Sequence, residues 1–78
     1  MKLTSEIIRV CRVNLGLSQG QLAKRSNISC PLMGAIEREE RTITPDVERR
    51  IRAAIPLSDK EIAELLEVNR KIQGKMSG

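Results

Sequence analysis

The sequence predicts an all-α fold, a compact bundle of five helices. Apolar residues recur at i, i+3 and i+4 spacing, and no useful stretch alternates with the strand period. Cap and breaker residues cut this pattern into five segments of helical length. The 40% hydrophobic and 31% charged residues are the proportions of an ordinary folded chain. At 78 residues there is room for one domain, and folding buries only about 60% of the surface such a chain exposes when unfolded. The core is therefore small, and pairing with a second copy is a natural supplement to it. Residues 1–72 form the predicted domain, and residues 73–78 a polar, Gly-containing tail expected to fray.

The first helix carries Ile7, Ile8, Cys11 and Leu15 on one stripe, with Thr4 or Ser5 as its N-cap and Gly16 as its stop. Ser18-Gln19-Gly20-Gln21 is a capping box: the hydroxyl and the amide three residues on satisfy each other's orphan backbone donors. The second helix runs from there to about Ser26 and buries Leu22 and Ala23; so short a helix depends on tertiary packing. Asn27 suits a left-handed turn, and Ile28 follows as a buried turn residue. Ser29 caps a third helix with Pro31 in its first turn, where a missing N–H costs nothing. Met33 and Ile36 return to the core at i, i+3 spacing.

Beyond a polar connection at residues 39–43, Thr44-Pro45-Asp46 supplies a cap, a first-turn proline and a carboxylate favoured by the helix dipole. This fourth helix buries Val47, Ile51 and Ile55 and stops at Pro56. Ser58-Asp59-Lys60-Glu61 is a second capping box, opening a fifth helix with Ile62, Leu65, Leu66 and Ile72 along one side.

Composition excludes several classes of function. There is no Phe, Tyr or Trp, hence no aromatic platform on which single-stranded bases stack. There is no His, the commonest general base and metal ligand. Cys11 and Cys30 are the two cysteines, too few to close a zinc site. No N-terminal apolar run marks a signal peptide, and nothing approaches the roughly 20 apolar residues of a membrane span. The expectation is a cytoplasmic chain with no membrane association, no cofactor, no metal and no enzymatic activity. Cys11 falls on the buried stripe and reads as a small core residue. Cys30 opens a helix with no resolving thiol evident, and a disulfide between the two is disfavoured in a reducing compartment.

The formal charge is +4, and its placement is uneven. Residues 1–38 hold six basic and two acidic side chains, whereas residues 39–78 hold eight of each. A basic excess confined to one part of a small domain fits attraction to a polyanion, where counterion release drives association; a merely solvated surface is the bland alternative.

A short helix, a tight turn and a second helix with apolar residues at the packing positions form the helix-turn-helix pattern. Ile8-Arg9 and Cys11-Arg12 precede Gly16-Leu17-Ser18-Gln19, then Gln21-Leu22-Ala23, Ile28-Ser29, Met33 and Ile36-Glu37-Arg38. Thr44-Pro45, Arg50-Ile51 and Ala53-Ala54 continue the order. With these words, residues 8–57 resemble the lambda-repressor and Cro-like (Xre-type) DNA-binding family. The resemblance implies a lambda-repressor-like bundle of about five helices and a sequence-specific regulator of transcription. It further implies binding to double-stranded operator DNA as a homodimer, as small phage, mobile-element and bacterial repressors do. Ala23 would stand where the two motif helices cross closely. Leu22, Ile28, Met33 and Ile36 would fix the angle at which helix three enters a major groove about 12 Å wide.

Carried over position by position, Gln19 at the start of helix two is a phosphate contact. Arg9 and Arg12, three apart on helix one, and Arg38 and Arg41, after helix three, are further candidates for the DNA backbone; Lys24 and Arg25 read as solvated. Ser29, Cys30, Pro31, Leu32, Gly34 and Ala35 occupy the base-reading positions of the recognition helix. Here the chain departs from the family, which places Gln, Arg, Asn, Ser or Thr there. Only Ser29 has a polar side chain beyond a thiol, although each good bidentate base contact contributes roughly 1–3 kcal/mol of discrimination.

Three explanations compete: methyl contacts combined with DNA shape, weak binding of low specificity, or an apolar protein interface on Cys30, Pro31 and Leu32. The last gives the alternative function, a protein–protein adaptor or antirepressor that docks its third helix on a regulator or polymerase; an antitoxin is a further alternative. Ile62, Leu65 and Leu66 of helix five either close the core or pair with a second chain. A two-fold dimer of the family's kind sets two recognition helices one DNA turn, roughly 34 Å, apart.

Overall fold

A computed structural model describes the backbone of residues 1–77 and the side chains of residues 1–72. Within them the chain forms five α-helices and no strand: α1 Ser5–Asn14, α2 Gln19–Arg25, α3 Cys30–Glu37, α4 Pro45–Ala54 and α5 Asp59–Ser77. Every helix starts on a hydroxyl. The side chains of Thr4, Ser18, Ser29, Thr44 and Ser58 each accept the N–H three residues on, at 3.1–3.3 Å. Thr4 is the cap of α1, while the Ser5 hydroxyl turns inward and donates to the Ile36 carbonyl at 2.6 Å. Both expected capping boxes close: Gln21 Oε1 accepts from Ser18 N at 2.8 Å, and Glu61 Oε1 from Ser58 N at 2.9 Å. That backbone donor holds the Glu61 carboxyl below the usual range.

α1, α2 and α3 also end alike. Gly16, Asn27 and Glu39 take left-handed backbone angles, with φ of 70°, 57° and 62°. At each end two N–H groups turn back onto helix carbonyls: Gly16 to Val13 and Leu17 to Arg12, Asn27 to Lys24 and Ile28 to Ala23, Glu39 to Ile36 and Glu40 to Ala35. This is the Schellman arrangement, which satisfies carbonyls that a helix end leaves orphaned. Gly16 and Asn27 suit it chemically; Glu39 holds it against its own preference.

The core joins Leu3, Ile7, Ile8, Cys11, Leu17, Leu22, Ala23, Met33, Ile36, Ile51, Ile55 and Ile62. α1 packs on α3 and α5, and α2 packs on α3 and α4. Leu3 and Leu17 lie outside any helix, so periodicity offers no hint of their burial. Val10 adds a fourth buried residue to α1. On α5 the expected apolar side splits: Ile62 is buried, Leu65 and Leu66 are half-buried, and Ile72 is 51% exposed. The helical backbone of α5 continues to Ser77, past the point where fraying was expected; the tail's side chains and Gly78 lie outside the described residues.

The joint between α4 and α5 is tied by Arg52, which donates to the Ile55 and Leu57 carbonyls and to Asp59 at 2.8 Å. The Arg52 hydrogen bond holds the Asp59 carboxyl below its ordinary range. Burial pushes the Cys11 thiol up, and its side chain is closed to solvent, whereas Cys30 is exposed. A thiol reagent applied to the folded protein at neutral pH is therefore expected to label Cys30 alone, with Cys11 reacting only on unfolding. Mass spectrometry of the labelled chain checks this, and a second adduct at the native-state rate contradicts it.

Candidate nucleic-acid interface

α2 and α3 form a helix-turn-helix, joined by residues 26–29. The turn is fixed from outside: Arg50 of α4 donates to the Asn27 carbonyl at 3.0 Å while its Nε pairs with Asp46 at 3.0 Å. α3 is seated from below by Met33 and Ile36, both fully buried. Its last turn is bound to α1 by a buried ion pair. Arg12 Nε and Nη2 donate to the two Glu37 carboxylate oxygens at 2.8 and 3.0 Å, and Arg12 Nη1 donates to the Leu17 carbonyl at 2.9 Å. One guanidinium thus joins α1, the loop before α2 and the end of α3.

This placement corrects the expectation for Arg12. Its side chain is only 16% exposed and is committed to Glu37, which is 3% exposed. A buried carboxylate so desolvated demands a paired, hydrogen-bonded cation, so the guanidinium is drawn inward and is not free to meet a phosphate. Arg9 behaves differently. It lies in register between Ser5 and Arg12, the two α1 residues that bond the end of α3, and it is exposed. Its charge therefore stands at the border of α1 and the α3 C-terminus. Among the described residues Lys2, Arg9, Lys24, Arg25, Arg41 and Lys60 have no ion-pair partner. Arg41 is exposed and lines a groove with Lys2, Thr4 and Ser5, but Glu39, Glu40 and Glu48 line the same groove.

The expected reading positions separate into distinct environments. Ser29 is exposed, but its hydroxyl caps α3 through Leu32 N at 3.2 Å. Cys30 and Pro31 are exposed, and a Cβ on Gly20 of α2 would stand 3.6 Å from the Cys30 sulfur. Leu32 is not the outward apolar residue expected. It is half-buried and packs against the core, because the helical turn carries it back toward the side that Met33 and Ile36 bury. Ala35 is half-buried. The exposed apolar surface at the start of α3 is thereby reduced to Cys30 and Pro31.

Gly34 is buried, not open to an approaching ligand, and the atoms over it belong to Arg38 and Gln19. A Cβ at position 34 would meet Arg38 Nη1 at 3.0 Å and Gln19 Oε1 at 3.3 Å. Two side chains expected at phosphates, one from the start of α2 and one from the end of α3, thus converge over the middle of α3. Glu40 steadies one of them: its Oε1 lies 3.1 Å from both Arg38 Nε and Arg38 Nη2, and both side chains are largely exposed. Glu37 and Arg50 stand among the residues that carry the family resemblance, but nothing in the sequence assigns them these bracing roles.

The chain matches no family model, no curated protein and no solved structure. No described helix is long and apolar enough to cross a membrane, and the described residues hold no group of three or more Cys, Asp or Glu fit for a metal ion.

Proposed function

We propose that the protein binds double-stranded DNA through α2 and α3 and acts as a small transcriptional regulator. The observation that carries this is the convergence of Gln19 and Arg38 over Gly34, on a helix-turn-helix whose turn and last helix are braced by Arg50 and by Arg12–Glu37. An amide and a guanidinium presented together from two rigidly held helices suit phosphates and base edges. The unpaired, exposed Arg9, Lys24 and Arg25 add to the attraction of a polyanion. A second copy is proposed to pack on the outer side of α5, where Val68 and Ile72 are 53% and 51% exposed beside half-buried Leu65. Such a dimer would present two copies of α3 to one duplex.

Leu32's half-burial weakens the adaptor alternative, since a docking surface reduced to Cys30 and Pro31 is small for a protein partner. Titrating the full chain into a duplex of mixed sequence is expected to give binding that weakens steeply between 50 and 200 mM salt. The slope of log affinity against log salt should be about −0.9 per phosphate neutralised. Absence of duplex binding at the lowest salt would remove the proposal and return the third helix to a protein-docking role.

A further inference from the structure

The half of α3 that faces away from the core offers almost nothing with which to distinguish bases. Cys30, Pro31 and Ala35 have no amide or charged group, Gly34 has no side chain, and the Ser29 hydroxyl is engaged as a cap. Yet one strong donor lies on that face. Arg38, four residues after Gly34 and hence on the same side of the helix, folds its side chain back so that Nη1 and Cζ stand 3.0 and 3.8 Å from where a Cβ at position 34 would be. The space a side chain at position 34 would fill is taken by a guanidinium and by the oxygen of Gln19.

We infer that Arg38 carries base discrimination on behalf of α3, its guanidinium seated over Gly34 to donate to the O6 and N7 acceptors of a guanine in the major groove. The inference rests on the duplex-binding reading above and deepens it. The donor geometry supports it. Glu40 Oε1 takes the side edge of the guanidinium, at 3.1 Å from Nε and 3.1 Å from Nη2. That leaves the end edge, with one N–H from Nη1 and one from Nη2, as a fork of the spacing that guanine O6 and N7 accept. The same carboxylate argues against a phosphate as the primary target: a phosphate on Arg38 would be brought toward Glu40, whereas the neutral edge of a base carries no net charge to repel. Gln19 Oε1, over the same glycine, adds an acceptor beside the fork.

The experiment uses the full chain at one fixed salt concentration. Duplexes bound by the wild type are selected from a random pool, and affinities are then measured for the selected duplex and for each single base-pair replacement. The same set is measured with Arg38→Ala and Gly34→Ala. A mid-helix Gly→Ala change favours the helix, and circular dichroism checks that both variants fold.

The expected result is one G·C pair whose replacement weakens the wild type roughly ten- to hundredfold and costs Arg38→Ala almost nothing. Gly34→Ala should weaken that preference while keeping those at other positions, because its Cβ, 3.0 Å from Nη1, makes the guanidinium give by a few tenths of an ångström. A uniform loss in Arg38→Ala, with every base preference retained, would make Arg38 a backbone contact and overturn the inference. Loss of the guanine preference in Arg38→Ala with an undiminished preference in Gly34→Ala would overturn the seat assigned to Gly34. Failure of the wild type to bind any duplex is a separate result, read before the variants, and removes the duplex-binding proposal with this one.

Discussion

Replacing Glu37 with Ala is expected to cost about 3–5 kcal/mol of folding stability, measured by urea unfolding at neutral pH. The loss is large because the variant leaves the Arg12 guanidinium at 16% exposure with no carboxylate beside it, and an uncompensated buried charge is among the costliest defects a fold can carry. A domain of this length has a total stability of roughly 0.05–0.15 kcal/mol per residue, so the variant should sit near the edge of unfolding. Replacing both partners, Arg12→Met with Glu37→Met, removes the charge along with its partner and should restore much of the loss. A cost below about 1 kcal/mol for Glu37→Ala, in the range of exposed ion pairs, would show that the pair does not clamp α1 to α3.

The second large effect is expected from Met33→Ala, at about 2–5 kcal/mol. Met33 is fully buried, and with Ile36 it forms the part of α3 that enters the core. Truncation removes its transfer free energy and leaves a cavity that rigid neighbours on α1 and α2 only partly fill. The contrast is Val13→Ala. Val13 is the most exposed of the large apolar residues among those described, at 60%, and its loss should fall within about 0.5 kcal/mol. Thermal or urea unfolding of the two variants side by side checks the pair, and equal losses would contradict the seating of α3 in the core.

Much of this architecture was legible in the sequence, because its signals are local. A Ser or Thr three residues before the N–H it satisfies marks each helix start, and Gly16 and Asn27 mark two of the turns by their tolerance of left-handed angles. The residues that escaped are those whose role depends on distant partners. Glu37 reads as one more surface carboxylate until α1 brings Arg12 to it from 25 positions away. Arg50 likewise reaches back 23 residues to the turn that it holds. The interface shows the same divide. Gln19 and Arg38 were both candidate contacts, but nothing local indicates that they meet over Gly34, nor that Leu32 turns partly into the core. Helical periodicity gives the face of a residue to within a turn; which long side chain bends back over which glycine is decided by packing between helices.

The most direct measurement is an amide chemical-shift map of the uniformly 15N-labelled full chain, titrated with a short duplex at low salt. Duplex binding through α2 and α3 predicts shifts that cluster on Gln19 and Gly20 of α2, on Cys30, Gly34 and Ala35 of α3 and on Arg38, with α5 quiet apart from any dimer contact. Shifts confined to α5, or none at the lowest salt, would contradict it.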